Sequence, residues 1–145
     1  MAEDEGVAKS SDKLVMIVDD DESVRDLLEF VVKKEGFRVA TAGDGEEGLN
    51  KIQAMLPDLI LLDLMLPRYG GFEVLRQLQS GETAKIPIVI ITGRYTDRTT
   101  AELIRQESNV MDFMEKPLKT AVLAMTLHKI LKTHPPEVDG APGSP

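Results

Sequence analysis

The sequence predicts an α/β fold: a doubly wound, five-stranded parallel sheet with helices on both faces. Three observations carry this. Short apolar runs recur along the chain, among them Leu14-Val15-Met16-Ile17-Val18, Leu59-Ile60-Leu61-Leu62 and Ile88-Val89-Ile90-Ile91. Unbroken aliphatic runs suit strands buried on both faces. Between them lie segments whose apolar residues repeat at helical spacing. The two patterns alternate strictly, which implies parallel strands joined by helical crossovers.

The elements follow in order. Residues 1–12 are polar, acidic and aperiodic, and are expected to form a disordered leader. After the first strand, Val24, Leu27, Leu28, Val31 and Val32 mark a helix that Gly36 stops. Phe37 to Thr41 reads as a second strand, and Leu49, Ile52 and Leu56 as a second helix ended by Pro57. The third strand closes on Asp63, and Phe72, Leu75 and Leu78 place a third helix running to about Ser80. The fourth strand ends on Thr92-Gly93, and a fourth helix of modest apolar content spans about Asp97 to Glu107. Met111 to Glu115 is a short fifth strand, stopping at Lys116-Pro117 before a last helix from about Leu118 to Leu131. Residues 133–145, rich in Pro and Gly, read as a flexible tail, leaving 13–132 as the folded domain.

With 145 residues, 42% of them hydrophobic, the chain can bury one core of its own. Cysteine is absent, which excludes disulfides and thiolate metal sites and fits a cytoplasmic location. His128 and His134 are the only histidines, too few for a multi-histidine metal centre. No apolar run reaches membrane-spanning length, and the N-terminus lacks the pattern of a secretory signal. A net charge of −8 without a basic stripe argues against direct nucleic-acid binding.

Right-handed crossovers bring the loop after every strand to one edge of the sheet, where open α/β sheets bind their ligands. Asp19, Asp20, Asp63, Thr92 and Lys116 converge there. A carboxylate ending a buried strand is costly unless its charge is used, and three together repel one another. A hard divalent cation such as Mg²⁺ relieves that repulsion. Lys116 offers an ammonium and Thr92 a hydroxyl to phosphoryl oxygens, so the set has the parts of a phosphoryl-transfer site. Asp63 is the candidate nucleophile, since carboxylates form aspartyl phosphates. Each residue has a plainer reading. Asp19 to Asp21 could cap the first helix, Thr92 could be a strand-end hydroxyl, and Lys116 a surface charge. The joint placement at four strand ends carries the argument.

On Val18-Asp19-Asp20-Asp21, Leu62-Asp63-Leu64-Met65-Leu66-Pro67, Ile91-Thr92-Gly93 and Phe113-Met114-Glu115-Lys116-Pro117, the chain resembles the receiver domains of two-component response regulators, the CheY-like family. The resemblance covers about Lys13 to Leu131. It implies the flavodoxin-like strand order 2-1-3-4-5, for which CheY is a standard example. It implies that Asp63 is the phosphoacceptor, served by a histidine kinase or a phosphotransfer protein. Asp20, Asp63 and the backbone carbonyl of Met65 would be the Mg²⁺ ligands, with Asp19 acting through water. Thr92 and Lys116 would contact the phosphoryl group, Phe113 would be the aromatic switch residue, and Lys116-Pro117 a cis peptide.

The chain departs from the family at Asn109-Val110, where Gly-Ala is usual, and at Gly70, where Asp often precedes the glycine. Phe113 lacks a hydroxyl, so an inward position would rest on packing. Met65 and Arg94 flank the pocket and are candidates for setting phosphoryl lifetime. On the last helix, Leu123, Leu127 and Ile130 form a core stripe, while Ala121, Ala124 and Met125 fall on the other side. That second face is either incidental exposure or a partner or dimer surface. The leading expectation is a receiver acting through protein–protein contact, on the surface of the fourth helix, fifth strand and fifth helix. It is not expected to be an enzyme beyond self-phosphorylation and slow autodephosphorylation. A phosphatase with a nucleophilic Asp would want a second Asp where Met65 stands. A pseudo-receiver would not keep the acidic pocket.

Overall fold

The computed structural model describes residues 8–66, 70–93 and 98–136. Five strands, β1 (Leu14–Val18), β2 (Arg38–Ala42), β3 (Leu59–Asp63), β4 (Ile88–Thr92) and β5 (Val110–Glu115), form one sheet in the order β2-β1-β3-β4-β5. Every pairing is parallel. The helices are α1 (Glu22–Lys34), α2 (Gly45–Met55), α3 (Gly71–Gln77), α4 (Arg98–Arg105) and α5 (Thr120–Leu131).

Alternation along the strands divides the core in two. Val15, Ile17, Leu59, Leu61, Val89 and Ile91 pack with Leu28, Val32, Leu123 and Leu127, so α1 and α5 cover one face. Met16, Val18, Ile60, Leu62, Ile88 and Ile90 pack with Ile52, Val74, Leu78 and Ile104, beneath α2, α3 and α4. The central strands β1, β3 and β4 are buried along their whole length. Burial on both faces is why their sequences are aliphatic without alternation.

Some boundaries differ from the sequence reading. The third helix ends at Gln77 rather than Ser80, and a 3-10 turn over Gly81–Lys85 takes up the chain. The last helix begins at Thr120 rather than Leu118. β5 starts one residue early because Met111 is an extra residue: the partner of Ile88 is Val110, but that of Val89 is Asp112. Met111 is accordingly exposed. Asn109, the departure noted in sequence, is buried just before this bulge; its side-chain amide donates to Ile86 O at 3.0 Å, and its carbonyl accepts from Ile88 N at 2.7 Å. It therefore stitches the start of β5 to β4. The fourth helix runs Arg98–Arg105, stopping before Glu107, and Asp97 lies outside the described residues.

The two ends of the described chain meet. Residues 10–12, placed in the leader by composition, form a 3-10 turn with Ser10 buried. Ala8 pairs with Thr133, Ala8 N donates to Lys132 O at 2.9 Å, and Ser10 Oγ donates to His134 O at 3.3 Å. His128 holds this junction from α5, with Nδ1 2.7 Å from Thr133 Oγ1 and Nε2 2.8 Å from Glu35 Oε1. Residues 8–12 and 133–136 thus make contacts with each other and with the domain; residues 1–7 and 137–145 lie outside the described part. Among the described residues no helix is long and apolar enough to cross a membrane.

Candidate functional site

The register brings the polar strand ends together. Val18 pairs with Leu62, Asp63 with Ile91, and Thr92 with Glu115, so Asp19, Asp63, Thr92 and Lys116 end neighbouring strands at one level. Asp19, Asp63 and Thr92 are almost fully buried, while Asp20 is exposed at the rim. Carboxylate oxygens of Asp19, Asp20 and Asp63 lie within 4.8 Å of one another.

The acidic run over 19–21 divides its work. Asp21 is the N-cap of α1, its side chain accepting from Ser23 N and Val24 N. The Ser23 hydroxyl and the Val24 N–H hold the Asp21 carboxyl below the ordinary range. Asp19 instead turns inward, and its Oδ1 accepts from Asp21 N at 2.9 Å. Helix capping and an acidic pocket both occur here, on adjacent residues.

Lys116 is the pocket's cation. Its Nζ stands 2.9 Å from Asp19 Oδ2 and 3.4 Å from Asp63 Oδ2. Although burial opposes it, the two carboxylates hold the ammonium above its ordinary pKa. Burial pushes the Asp63 carboxyl up, and the Asp19 charge adds to this; the Met65 N–H at 3.0 Å and Lys116 pull the other way. Among the described residues, one ammonium thus serves two buried carboxylates, with the Asp20 carboxylate close to both.

A divalent cation fits this set. Asp19 Oδ2 is buried, and among the described residues its one polar neighbour is the Lys116 ammonium at 2.9 Å, which leaves a lone pair unused. A buried carboxylate oxygen left with a free lone pair is a costly group that a metal or its water satisfies. All three side chains offer hard oxygen donors, as Mg²⁺ prefers, and none offers sulfur or imidazole.

Thr92 lies at the carboxyl end of β4, and Lys116 N donates to its carbonyl at 2.8 Å. Gly93 beside it has open space where a Cβ would point. Ile90 pairs with Phe113 and Thr92 with Glu115, so Thr92 and Phe113 share the face covered by α4. Phe113 is half-buried against that core, and Arg105 of α4 lies over its ring, Cζ 5.2 Å from the centroid. The Lys116-Pro117 bond is cis.

The loop after Asp63 is pulled tight against α3. A Cβ on Gly71 would come within 2.5 Å of Asp63 O and Leu64 Cα, so only glycine permits this approach. Gly70, the second departure, is the N-cap of α3 and supplies no capping side chain. Met65 is exposed beside Asp63; Pro67 and Arg94 lie outside the described residues. On α5, Leu123 and Leu127 are buried and Ile130 packs against the same core. Ala121 and Met125 are exposed and Ala124 is half-buried. Sequence reasoning overlooked Arg25, whose Nη1 donates to Asp19 O at 2.8 Å. Its signal was its place one helical turn after the capping Asp21.

The family model for the response regulator receiver domain matches residues 15–128. The transcriptional regulatory protein AfsQ1 of Streptomyces coelicolor is 36% identical over 118 residues, covering 81% of this chain and 51% of that protein. The alkaline phosphatase synthesis transcriptional regulatory protein PhoP of Bacillus subtilis is 36% identical over 120 residues, covering 83% and 49%. The chain thus spans about half the length of these curated relatives. Among solved structures, a CheY-like receiver domain protein from Methanospirillum hungatei superposes with a TM-score of 0.75 at 26% identity, over 82% of this chain and 93% of that one. Parallel order, acidic pocket and matching relatives agree, and the chain belongs to the response regulator receiver domain family.

Proposed function

We propose that this receiver takes a phosphoryl group onto Asp63 from a sensor histidine kinase or phosphotransfer protein, and signals by changing its surface. The observation that carries the reading is the buried Asp63 carboxylate beside Asp19, Asp20 and a single ammonium, Lys116. An Asp63 oxygen forms the new P–O bond as the donor's P–N bond breaks, the leaving nitrogen keeping the electron pair. With a small donor such as acetyl phosphate, a P–O bond breaks instead, giving self-phosphorylation.

Asp20, Asp63 and the Met65 carbonyl are the residues to hold Mg²⁺, with Asp19 acting through water. When bound, the ion supplies positive charge that offsets the carboxylates and the phosphoryl oxygens. Lys116 shifts toward the phosphoryl group, and Thr92 turns its hydroxyl to the same oxygens. Phosphorylation adds about −1.5 to −2 charge, enough to draw both. Thr92 and Phe113 share one face of the sheet, so movement of Thr92 frees space for the Phe113 ring. The α4-β5-α5 surface changes with it.

That surface is the proposed output, a contact with a downstream protein or a second copy. Ala121, Ala124 and Met125 lie on α5 as a candidate part of a partner face. Met125→Glu is expected to weaken partner binding or self-association, and unchanged binding would remove this face. The relatives named as transcriptional regulators extend well beyond the matched half, and no DNA contact is assigned to residues 15–128. Receiver chemistry of this kind takes place in the cytoplasm, where kinase donors are found. Mass spectrometry after treatment with acetyl phosphate and Mg²⁺ tests the core claim. A phosphoryl adduct on the wild type, absent from Asp63→Asn, is expected; an adduct retained by the variant overturns it.

A further inference from the structure

Asp20 is the exposed member of the acidic trio and makes no hydrogen bond or ion pair with any described residue. With no partner to hold the side chain, the backbone sets where its Cα–Cβ bond points and so which rotamers reach the pocket, above all through the peptide joining it to Asp19. That peptide is fixed at its oxygen by Arg25, whose Nη1 donates to Asp19 O at 2.8 Å. Asp19 N is fixed separately, donating to Ala42 O at 3.1 Å.

The guanidinium has a place built for it. Arg25 N donates to Asp21 O in the first turn of α1, which sets the side chain's root. At the other end it crosses Gly43, where an ideal Cβ would lie 3.2 Å from Nη1 and 3.7 Å from Cζ. Gly43 is held in turn, its N–H donating to Glu47 Oε1 at 3.0 Å. Glu47 also pairs with Lys51 at 2.9 Å. Arg25 thus bonds the β1–α1 turn while its guanidinium lies over the β2–α2 turn at Gly43.

We propose that Arg25 is a positioning residue of the cation site: it orients the Asp19–Asp20 peptide so that the Asp20 carboxylate faces Asp63. This rests on the reading of Asp19, Asp20 and Asp63 as that site. The sign of the effect separates positioning from simple electrostatics. A cation near three carboxylates repels a second cation, so its removal by itself tightens metal binding. Loss of positioning weakens it, as loss of an outer partner does in metal sites generally.

The test is Mn²⁺ binding to the full chain by electron paramagnetic resonance, with Mg²⁺ as competitor. Arg25→Gln is expected to weaken Mn²⁺ binding about 10-fold, and Arg25→Lys to recover part of the loss. Gly43→Ala, which crowds the guanidinium, is expected to weaken binding in the same direction, with no further loss when combined with Arg25→Gln. Binding equal to or tighter than wild type in Arg25→Gln overturns the proposal. If that variant fails to fold, judged by circular dichroism, unchanged binding in Gly43→Ala overturns it instead. Asp20→Asn separates the two levels: unchanged Mn²⁺ binding there defeats the cation site itself, whereas weakened binding there with none in Arg25→Gln defeats only the role of Arg25.

Discussion

The Lys116 ammonium stands nearer to Asp19 than to Asp63, 2.9 Å against 3.4 Å. In this state it is the ion-pair partner of Asp19 and engages Asp63 only loosely. Lys116→Met leaves two buried carboxylates without their cation. Breaking a buried pair costs about 3–5 kcal/mol. The Lys116 side chain is 22% exposed, so the expected loss is smaller, about 1–3 kcal/mol by urea unfolding without metal. Mg²⁺ is expected to restore more stability to this variant than to the wild type. An equal effect of Mg²⁺ on both would mean that Lys116 and the ion do not share the carboxylates.

Asp63 pays for its position with stability, and pH reveals the sign. Burial first, then Asp19, raises its carboxyl above the unfolded value. The folded chain therefore holds this proton more tightly than the unfolded one. The contribution to stability is full below the unfolded pKa and is lost as pH rises through the folded pKa. At neutral pH without metal, Asp63→Asn is expected to raise the thermal midpoint. A gain of about 1 kcal/mol corresponds to roughly 2–5 °C for a domain this size. The gain should shrink as pH falls into the acid range, as the wild-type carboxyl protonates. A gain that grows at low pH contradicts the assigned sign.

The sheet was legible because its central strands are aliphatic on both faces, and Asp19, Asp63, Thr92 and Lys116 because parallel topology gathers strand ends. Met111 was not, since a bulge leaves the apolar pattern of Val110 to Met114 unchanged in sequence. Nor was the clasp around His128, which joins Glu35 to Thr133 across 98 positions (133 − 35) of chain. The segments it closes are polar or Pro-rich, and composition alone reads such ends as unstructured. Arg25 was hidden for another reason: its partner is a backbone carbonyl, which every residue carries alike.

Gly71 makes the pocket's tightest demand on sequence. A methyl group there meets backbone at 2.5 Å on two atoms, Asp63 O and Leu64 Cα, and backbone cannot rotate aside. Gly71→Ala is expected to push the start of α3 outward and cost about 1–3 kcal/mol, as overpacking does. Because the strained atoms belong to Asp63 and Leu64, labelling by acetyl phosphate should slow along with the loss of stability. Gly93→Ala meets nothing within 4 Å and serves as the comparison, with stability near that of the wild type. If Gly71→Ala proves equally mild, α3 is free to slide and the close approach is not a constraint.

His128 supplies the last prediction, away from the pocket. Its ring packs at a 33° tilt with its centroid 5.0 Å from that of Phe37, while its nitrogens reach Glu35 and Thr133, so it serves the core and the clasp together. His128→Phe keeps a ring of similar size against Phe37 and removes both hydrogen bonds. Glu35 loses its partner but is partly exposed, so water replaces much of what is lost. The expected cost is about 1–2 kcal/mol in urea unfolding. The local effect should exceed the global one at Ala8, whose N–H is held by Lys132 O beside Thr133. Hydrogen exchange at Ala8 is expected to accelerate more than exchange within β1 and β3, which the clasp does not touch. Uniform acceleration across the sheet would instead make His128 an ordinary core residue, with the chain ends held by Ser10 and the Ala8 pairing alone.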